Sequence, residues 1–335
     1  MPRAPDFWRH DCAAARLLAP LGWLYGSVAA RRLRRDAPRA PLPAIVVGGL
    51  TVGGDGKTPL VIALAGLLVE AGERPALLTR GYGAKPGLRP GAKPGAGSFV
   101  VAAGDSAATT GDEALLLARH ALTIVGADRA ASAELARQRG ATVLILDDGF
   151  HSRRLAPDLA LLTIDSDYGA GAGRCLPAGP LRAPLRDQFD AADALVIIGD
   201  GDAGLALAES GAKPAFRATV TGTGQDFKGR RVVAFSGIAR PEKFFATLAA
   251  AGAEIVSRRA FADHHRFSAA EMATLAALAD ARQATLVTTE KDAVRLPPDA
   301  PRVGTLSVQL TFADADEVRA ALAAALDAAR LSRAS

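Results

Sequence analysis

Short apolar runs alternate along the chain with longer segments in which apolar residues recur at helical spacing. Residues 43–50 read PAIVVGGL, a run rich in β-branched residues and typical of a buried parallel strand. Residues 59–72, PLVIALAGLLVEAG, predict a helix, because Pro is tolerated in a first turn and Gly72 ends the periodic segment. The same alternation continues toward the carboxyl terminus and predicts an α/β fold with a mainly parallel sheet.

The pattern also divides the chain into three segments. Residues 1–36 precede the first strand, and residues 37–214 contain a glycine-rich loop of the kind found in P-loop NTPases. A new strand-helix unit, RVVAFSGIARPEKFFATLAAAG, follows a polar connection. We therefore place a boundary near residue 215 and expect a second, smaller α/β domain at residues 215–335.

The first segment predicts an amphipathic helix. Between Ala13 and Ala30 the chain is apolar apart from Arg16 and a few Gly, Pro and small polar breaks, so the run is too short to span a bilayer. Large apolar residues recur at helical spacing and five arginines follow at residues 31–39, as they do in helices that lie in a membrane interface. The same pattern fits a helix that packs on the protein's own core, and periodicity does not distinguish the two.

Residues 51–58, TVGGDGKT, resemble the phosphate-binding pattern G-x-x-x-x-G-K-[ST] except at Thr51. The loop lies between a predicted strand and a predicted helix, where backbone amides at the helix amino terminus favour phosphate. Lys57 is placed to reach the β- and γ-phosphates, and the Thr58 hydroxyl to hold Mg²⁺. The alternative is a plain glycine-rich turn. We expect ATP to be bound by Thr51, Val52, Gly53, Gly54, Asp55, Gly56, Lys57 and Thr58.

A second predicted strand supports a nucleotide site. Residues 141–150, ATVLILDDGF, form an apolar run that ends in Asp147 and Asp148. An acidic residue at the end of a buried strand beside a phosphate loop can hold Mg²⁺ directly or through water. Asp-Gly also commonly ends a strand in a turn, but with GKT in the same chain the sequence favours a metal role for both aspartates.

Composition narrows the class of protein. Of 335 residues, 49% are hydrophobic and 22% are charged, which indicates a globular chain that can bury a substantial core. The net charge of +5 suits phosphate-rich ligands or an anionic membrane surface. Because no RNA-binding signature accompanies it, we expect no nucleic-acid partner. Cys12 and Cys175 make neither a disulfide framework nor a zinc pattern, which favours a reducing compartment.

Six segments in one order together resemble the tetraacyldisaccharide 4′-kinases, the lipid A 4′-kinases of Gram-negative bacteria. In that family the phosphate loop reads T-V-G-G-x-G-K-T, so Thr51 is the family form of the motif. The resemblance spans nearly the whole chain, and the combination is much more specific than any one segment. The segments are LTVGGDGKTP (50–59), RGYG (80–83), GDEALLLAR (111–119), LDDGF (146–150), FADHH (261–265) and TEKD (289–292).

The resemblance implies Mg²⁺- and ATP-dependent transfer of the γ-phosphate to the 4′-hydroxyl of tetraacyldisaccharide 1-phosphate, forming lipid IVA. It also implies a peripheral enzyme on the cytoplasmic face of the inner membrane, which we expect to be a monomer. Since the acyl chains of the substrate should stay in the bilayer, the interfacial interpretation of residues 1–36 becomes the favoured one. An ATP-driven switch or a soluble small-molecule kinase would not require that interfacial helix.

The resemblance also assigns roles in the chemistry. Asp112 would orient or deprotonate the attacking alcohol, with His264 as its partner and Lys57 on the transferred phosphate. From the residues alone, Asp112 equally suits the first turn of a helix whose capping box would be Thr110 with Glu113. His265 fits the family position less well than His264.

Arginines and one tyrosine complete the expected nucleotide site. Arg80 and Tyr82 belong to the RGYG segment, and Arg129 matches another recurring arginine; each arginine can also be an ordinary surface residue. Arg182 is a weaker candidate for a phosphate contact.

The chain departs from the family pattern at three positions. His151 and Ser152 stand where the family has Gln-His, and Ala84 stands where an arginine is common. The basic, glycine- and proline-rich residues 85–97 suggest a loop near the phosphates or an unstructured surface loop. Glu290 and Lys291 receive no role.

Overall fold

The computed structural model describes residues 5–84, 97–224 and 226–334. These residues form one twelve-stranded sheet in the order β10-β9-β11-β12-β8-β7-β6-β1-β5-β2-β4-β3. The strands are β1 (Ala44–Gly49), β2 (Pro75–Thr79), β3 (Phe99–Val100), β4 (Leu122–Val125), β5 (Val143–Asp147), β6 (Leu159–Asp165), β7 (Ala194–Ile198), β8 (Ala215–Gly224), β9 (Arg231–Ser236), β10 (Glu254–Ala260), β11 (Thr285–Thr289) and β12 (Val303–Phe312).

Helices cover both faces of this sheet. They are α1 (Ala13–Leu17), α2 (Ala19–Leu33), α3 (Lys57–Glu70), α4 (Ala107–Thr110), α5 (Asp112–Leu117), α6 (Arg129–Gln138), α7 (Leu185–Ala191), α8 (Asp202–Ser210), α9 (Pro241–Ala250), α10 (Ala269–Ala281), α11 (Glu290–Ala293) and α12 (Ala315–Ala334). The predicted α/β class is therefore confirmed.

Strand directions follow the prediction of a mainly parallel sheet. Among the described strands, pairing is parallel except between β8 and β12 and between β3 and β4. The reversal between β8 and β12 means that β9 to β12 run opposite to β1 and its neighbours. The sheet is continuous across residue 215, so the division into domains there stays a prediction.

The first strand shows why the sheet is covered on both sides. All six residues of β1 are buried, with Ile45 and Val47 on one face and Ala44 and Val46 on the other, as period-two alternation requires. The first face packs against α3 and against α12 at the far end of the chain. Val318, Leu322 and Leu326 of α12 thus join the core of the amino-terminal half.

The amino-terminal segment is helical over α1 and α2, with an unusual distribution of side chains. The face of α2 that meets the protein consists mainly of small residues, and an added Cβ on Gly22 would lie 2.8 Å from the Cys175 carbonyl oxygen. The large apolar side chains instead face outward: Leu17, Leu21, Trp23, Leu24, Tyr25 and Val28 are exposed. No helix among the described residues is long and apolar enough to cross a membrane.

Candidate active site

The phosphate loop leaves β1 and enters α3 through three glycines with positive φ. Gly53, Gly54 and Gly56 have φ of 87°, 65° and 74°, a region that favours glycine, and Gly56 is the residue before the first turn of α3. Lys57 begins the helix. A glycine-rich turn at the amino terminus of α3 thus lies at the place that the sequence predicts.

Thr51 has a specific partner within the loop. Its backbone N–H donates to Asp55 Oδ2 over 2.9 Å and its hydroxyl donates to Asp55 Oδ1 over 2.7 Å. Burial raises the pKa of Asp55, although the charges of Lys57 and Arg240 and the hydrogen bond from the Thr51 side chain favour the carboxylate. A threonine at the first position of the motif therefore closes the loop through its own side chain.

The two predicted metal-binding aspartates stand in different surroundings. Asp147 ends β5 and is buried; burial, followed by the charges of Glu113 and Asp148, raises its pKa to about 7. Burial also acts to raise the pKa of Asp148, but the charges of Arg182 and Lys57 outweigh it and the pKa is lowered. At Asp148 the neighbouring cations therefore outweigh burial, whereas at Asp147 burial and the two acids outweigh the charges of Lys57 and Arg129.

Arg182, which the sequence left as a weak candidate, joins this group. Its Nη1 contacts both carboxylate oxygens of Asp148 at 3.0 and 3.2 Å, and its Nε donates to the Thr51 carbonyl oxygen over 3.0 Å. The arginine therefore ties the second aspartate to the start of the phosphate loop.

Asp112 and His264 meet, although 151 residues lie between them in the chain. Asp112 is the first residue of α5, and its Oδ2 lies 3.0 Å from Nδ1 of His264 in the loop after β10. The capping box expected from Thr110 and Glu113 is wrong. The Thr110 hydroxyl donates to the carbonyls of Ser106 and Gly111, and Gly111 precedes α5 without a side-chain cap.

Two cations of the carboxy-terminal part complete the surroundings of α5, and neither was predicted from the sequence to have a role. Arg295 Nε lies 3.2 Å from Asp112 Oδ2, and Lys291 Nζ donates to Glu113 Oε1 over 2.9 Å. Burial acts to raise the pKa of Asp112, but the hydrogen bond to His264 and the charges of Lys291, His264 and Arg295 lower it to about 2. The carboxyl group is therefore ionised at neutral pH.

Little in the sequence indicates that Lys291 and Arg295 lie beside α5. Lys291 belongs to the TEKD segment, which forms the single turn of α11, and Arg295 lies three residues beyond that segment. Arg295 is buried and also donates to the carbonyls of Gly237 and His265. Only the fold shows that this turn faces Asp112.

The RGYG residues and Arg129 lie around the same edge. Tyr82 is exposed, with its ring centroid 5.2 Å from that of His264, and Arg80 is exposed. Arg129 is buried; burial and then the charge of Arg80 lower its pKa to about 10. Its Nη2 reaches the Asp147 carbonyl oxygen at 3.5 Å, and its Nε and Nη1 have no partner among the described residues.

His265, the less certain of the two loop histidines, and His151, a departure from the family pattern, each have a side-chain partner of their own. His265 Nε2 lies 3.0 Å from Glu271 Oε1, and its ring stacks on Phe261. These contacts indicate a structural role for His265. His151 Nε2 contacts Gln188 Oε1 at 2.8 Å, and burial, with the charge of Arg182, lowers the pKa of His151 to about 4.

Ser152, the second departure from the family pattern in this segment, donates its hydroxyl to the Gly149 carbonyl. Residues 85–96 of the basic loop lie outside the described residues.

Known proteins match this chain along most of its length. A family model described as tetraacyldisaccharide-1-P 4′-kinase matches residues 14–327. The tetraacyldisaccharide 4′-kinase of Methylobacterium nodulans is 50% identical over 333 residues, which is 96% of each chain. That of Paramagnetospirillum magneticum is 48% identical over 315 residues, which is 92% of this chain and 94% of the relative.

A solved structure agrees with these matches. The crystal structure of LpxK from Aquifex aeolicus in complex with ATP is similar to this fold with a TM-score of 0.70 and 26% identity. The similarity covers 93% of this chain and 99% of the other. The chain therefore belongs to the tetraacyldisaccharide-1-P 4′-kinase family.

Proposed function

We propose that Asp112 directs the attacking alcohol in an ATP-dependent phosphate transfer to a lipid. As a member of the family, the chain is a kinase of lipid A synthesis that transfers the γ-phosphate of ATP to the 4′-hydroxyl of tetraacyldisaccharide 1-phosphate. The observation that carries the role of Asp112 is its 3.0 Å contact with His264. Family membership, with lipid kinases as relatives, argues against the switch and the soluble small-molecule kinase.

The surroundings of Asp112 suit orientation more than early proton removal. A carboxylate with a pKa of about 2 is a weak base, but phosphoryl transfer needs chiefly positioning and charge stabilisation. Asp112 would accept the hydrogen bond of the 4′-hydroxyl and take its proton as the new O–P bond forms and the bond between the γ-phosphorus and the β,γ-bridging oxygen breaks, which releases ADP. His264 would hold the carboxylate and share that proton, while Lys57 would neutralise charge on the transferred phosphate.

Replacing Asp112 with Asn tests this role. We expect kcat for transfer from labelled ATP to tetraacyldisaccharide 1-phosphate in detergent micelles to fall roughly 10²–10⁴-fold, because Asn does not accept a proton. ATP binding should be unchanged. Asp202→Asn is the matched control, since Asp202 is also the first residue of a helix, α8, and is exposed. Activity retained in Asp112→Asn would reduce Asp112 to a structural residue.

Arg129 is proposed to bind a phosphate of the nucleotide, as are Arg80 and Tyr82. The support is the buried guanidinium of Arg129, whose Nε and Nη1 lack partners among the described residues beside the acidic pair. A phosphate oxygen would satisfy such donors and favour the charged form.

Arg129→Gln tests that assignment by comparing the two substrates. Because one charge-assisted contact is lost, we expect KM for ATP to rise about tenfold while KM for the lipid stays within about twofold. Arg137→Gln, on the exposed side of α6, is the control. If only KM for the lipid increased, the assignment of Arg129 to the nucleotide site would be rejected.

Thr58, Asp147 and Asp148 are proposed to hold Mg²⁺ together with the phosphates of ATP. Among the described residues no three His, Cys, Asp or Glu side chains form a metal site of their own. That agrees with an ion bound by one or two carboxylates and its substrate. Asp147 would be the direct ligand, since Arg182 already engages Asp148. When bound, Mg²⁺ supplies charge neutralisation on the β- and γ-phosphates.

The raised pKa of Asp147 gives this assignment a pH signature. In the metal-free protein, the stability that comes from a raised carboxyl pKa is present below pH 4 and is lost as pH rises through about 7. Mg²⁺ competes with that proton, so it should raise the melting temperature about 2 °C more at pH 8 than at pH 6. Asp147→Asn should remove the difference, whereas Asp202→Asn should keep it; an equal effect of Mg²⁺ at both pH values would contradict the assignment.

The exposed side chains of α1 and α2 are proposed to enter the interface of the inner membrane on its cytoplasmic face. Leu17 is 81% exposed and Trp23 75% exposed, although both are large and apolar. The arginines at residues 31–39 follow directly and suit anionic headgroups. Such placement would let the kinase reach a lipid whose acyl chains stay in the bilayer.

A double substitution, Trp23→Ser with Leu24→Ser, tests the membrane proposal. We expect at least about tenfold weaker binding to vesicles that contain phosphatidylglycerol, because two large apolar side chains no longer leave water. Val69→Ser, an exposed apolar residue on α3, is the control and should bind as the wild type does. Unchanged vesicle binding in the double variant would reject the interfacial helix.

A further inference from the structure

The connection between β9 and α9 lies directly on the phosphate loop. A Cβ added to Gly54 would stand 2.9 Å from Cγ and Cδ of Arg240, and one added to Gly53 would stand 3.3 Å from the Ala239 Cβ. The glycines that form the loop are therefore covered by residues of the carboxy-terminal part. None of the six segments that carry the family resemblance includes Arg240.

Arg240 joins two carboxylates of the amino-terminal half. Its Nη2 contacts Asp55 Oδ1 at 3.2 Å and the Thr51 hydroxyl at 3.4 Å, while its Nη1 donates to Asp165. The guanidinium carbon lies 4.3 Å from the centre of the Tyr168 ring, a cation-π geometry. This arrangement requires a planar guanidinium group, because one terminal nitrogen contacts the phosphate loop and the other contacts Asp165.

Asp165 is a fixed anchor. It is the last residue of β6, is buried, and accepts the backbone N–H groups of Asp167 and Tyr168 through Oδ1. Lys243 Nζ, in the first turn of α9, lies 2.5 Å from its Oδ2. Two cations of the carboxy-terminal part thus converge on one buried carboxylate beside the phosphate loop.

We propose that Arg240 is a positioning residue for ATP binding, which holds the phosphate loop by bridging Asp55 to Asp165. Residue 55 occupies a free position of the phosphate-loop pattern, so phosphate binding alone does not require an acid there. Arg240 follows β9 and His264 follows β10, and these strands are neighbours in the sheet. The carboxy-terminal part, whose His264 contacts Asp112, would therefore also hold the loop that binds ATP.

ATP affinity measured by calorimetry without lipid tests the bridge directly. Arg240→Ala should weaken ATP binding about tenfold, and Arg240→Lys by less, because Lys reaches one of the two carboxylates but not both. In the transfer assay KM for ATP should rise while kcat stays within about twofold, since the loop holds ATP before and during the reaction. Arg259→Ala, exposed on β10, is the control of the same residue type and should match the wild type.

A double-mutant cycle separates the bridge from a general effect on folding. Asp55→Asn keeps an acceptor for Thr51 but removes the charge that Arg240 meets. The double variant with Arg240→Ala should therefore bind ATP within about twofold of the weaker single variant. The proposal would be overturned if the losses of ATP affinity in the two single variants multiplied in the double variant. It would also be overturned if Arg240→Ala lowered the melting temperature but left the ATP affinity unchanged. This proposal rests on the proposed function, in which the phosphate loop is the nucleotide site. If the wild type did not bind ATP, both proposals would fail, whereas unchanged ATP binding in Arg240→Ala would reject only the role of Arg240.

Discussion

A carboxylate taken out of water needs donors or cations close to it, and Asp112 obtains them from a distant part of the chain. His264 and Arg295 both lie beyond residue 215, yet both contact Oδ2 of this side chain. Burial alone would raise the pKa of Asp112, and these partners, with Lys291, bring it down to about 2. The catalytic group proposed for one half of the molecule is thus ionised by the other half, and the site exists only where the halves meet.

The same dependence recurs at the phosphate loop. Asp55 closes the loop onto Thr51, and Arg240 from the carboxy-terminal part reaches that same carboxylate. In both places a buried acid of the amino-terminal half meets an arginine of the carboxy-terminal half. Removing one partner would leave the buried charge of the other with fewer compensating groups, which destabilises the folded state. The two halves are therefore joined by ionic contacts at the site itself as well as by the continuous sheet.

Local pattern predicted the α/β class, the strand before the phosphate loop, the helix after that loop and the acidic pair at the end of β5. These features depend on neighbours in sequence: β-branched runs, glycines with positive φ and acids that end a strand. The meeting of Asp112 with His264 came from the family resemblance and not from periodicity. Arg240, Arg295 and Asp165 were not predicted, since each is a single charged residue whose partner lies in another element. Thr110 and Glu113 show the converse error. Their spacing matches a capping box, but Thr110 is the last residue of α4 and Glu113 lies in α5, while the capping box of this region joins Ser106 to Thr109.

The register of the strands places the two halves of the site opposite each other. The antiparallel pairing of β8 with β12 makes β9 and β10 run opposite to β1. β8 pairs with β7 through residues 215–218 and with β12 through residues 218–224, and β12 pairs with β11 through residues 303–306. The carboxy-terminal strands are therefore offset beyond the carboxyl end of β7 and run back toward it, so the carboxyl ends of β9 and β10 face those of β1 and β5. The reversal and the offset together, neither of which is visible in one element's sequence, place the cations of one half over the carboxylates of the other.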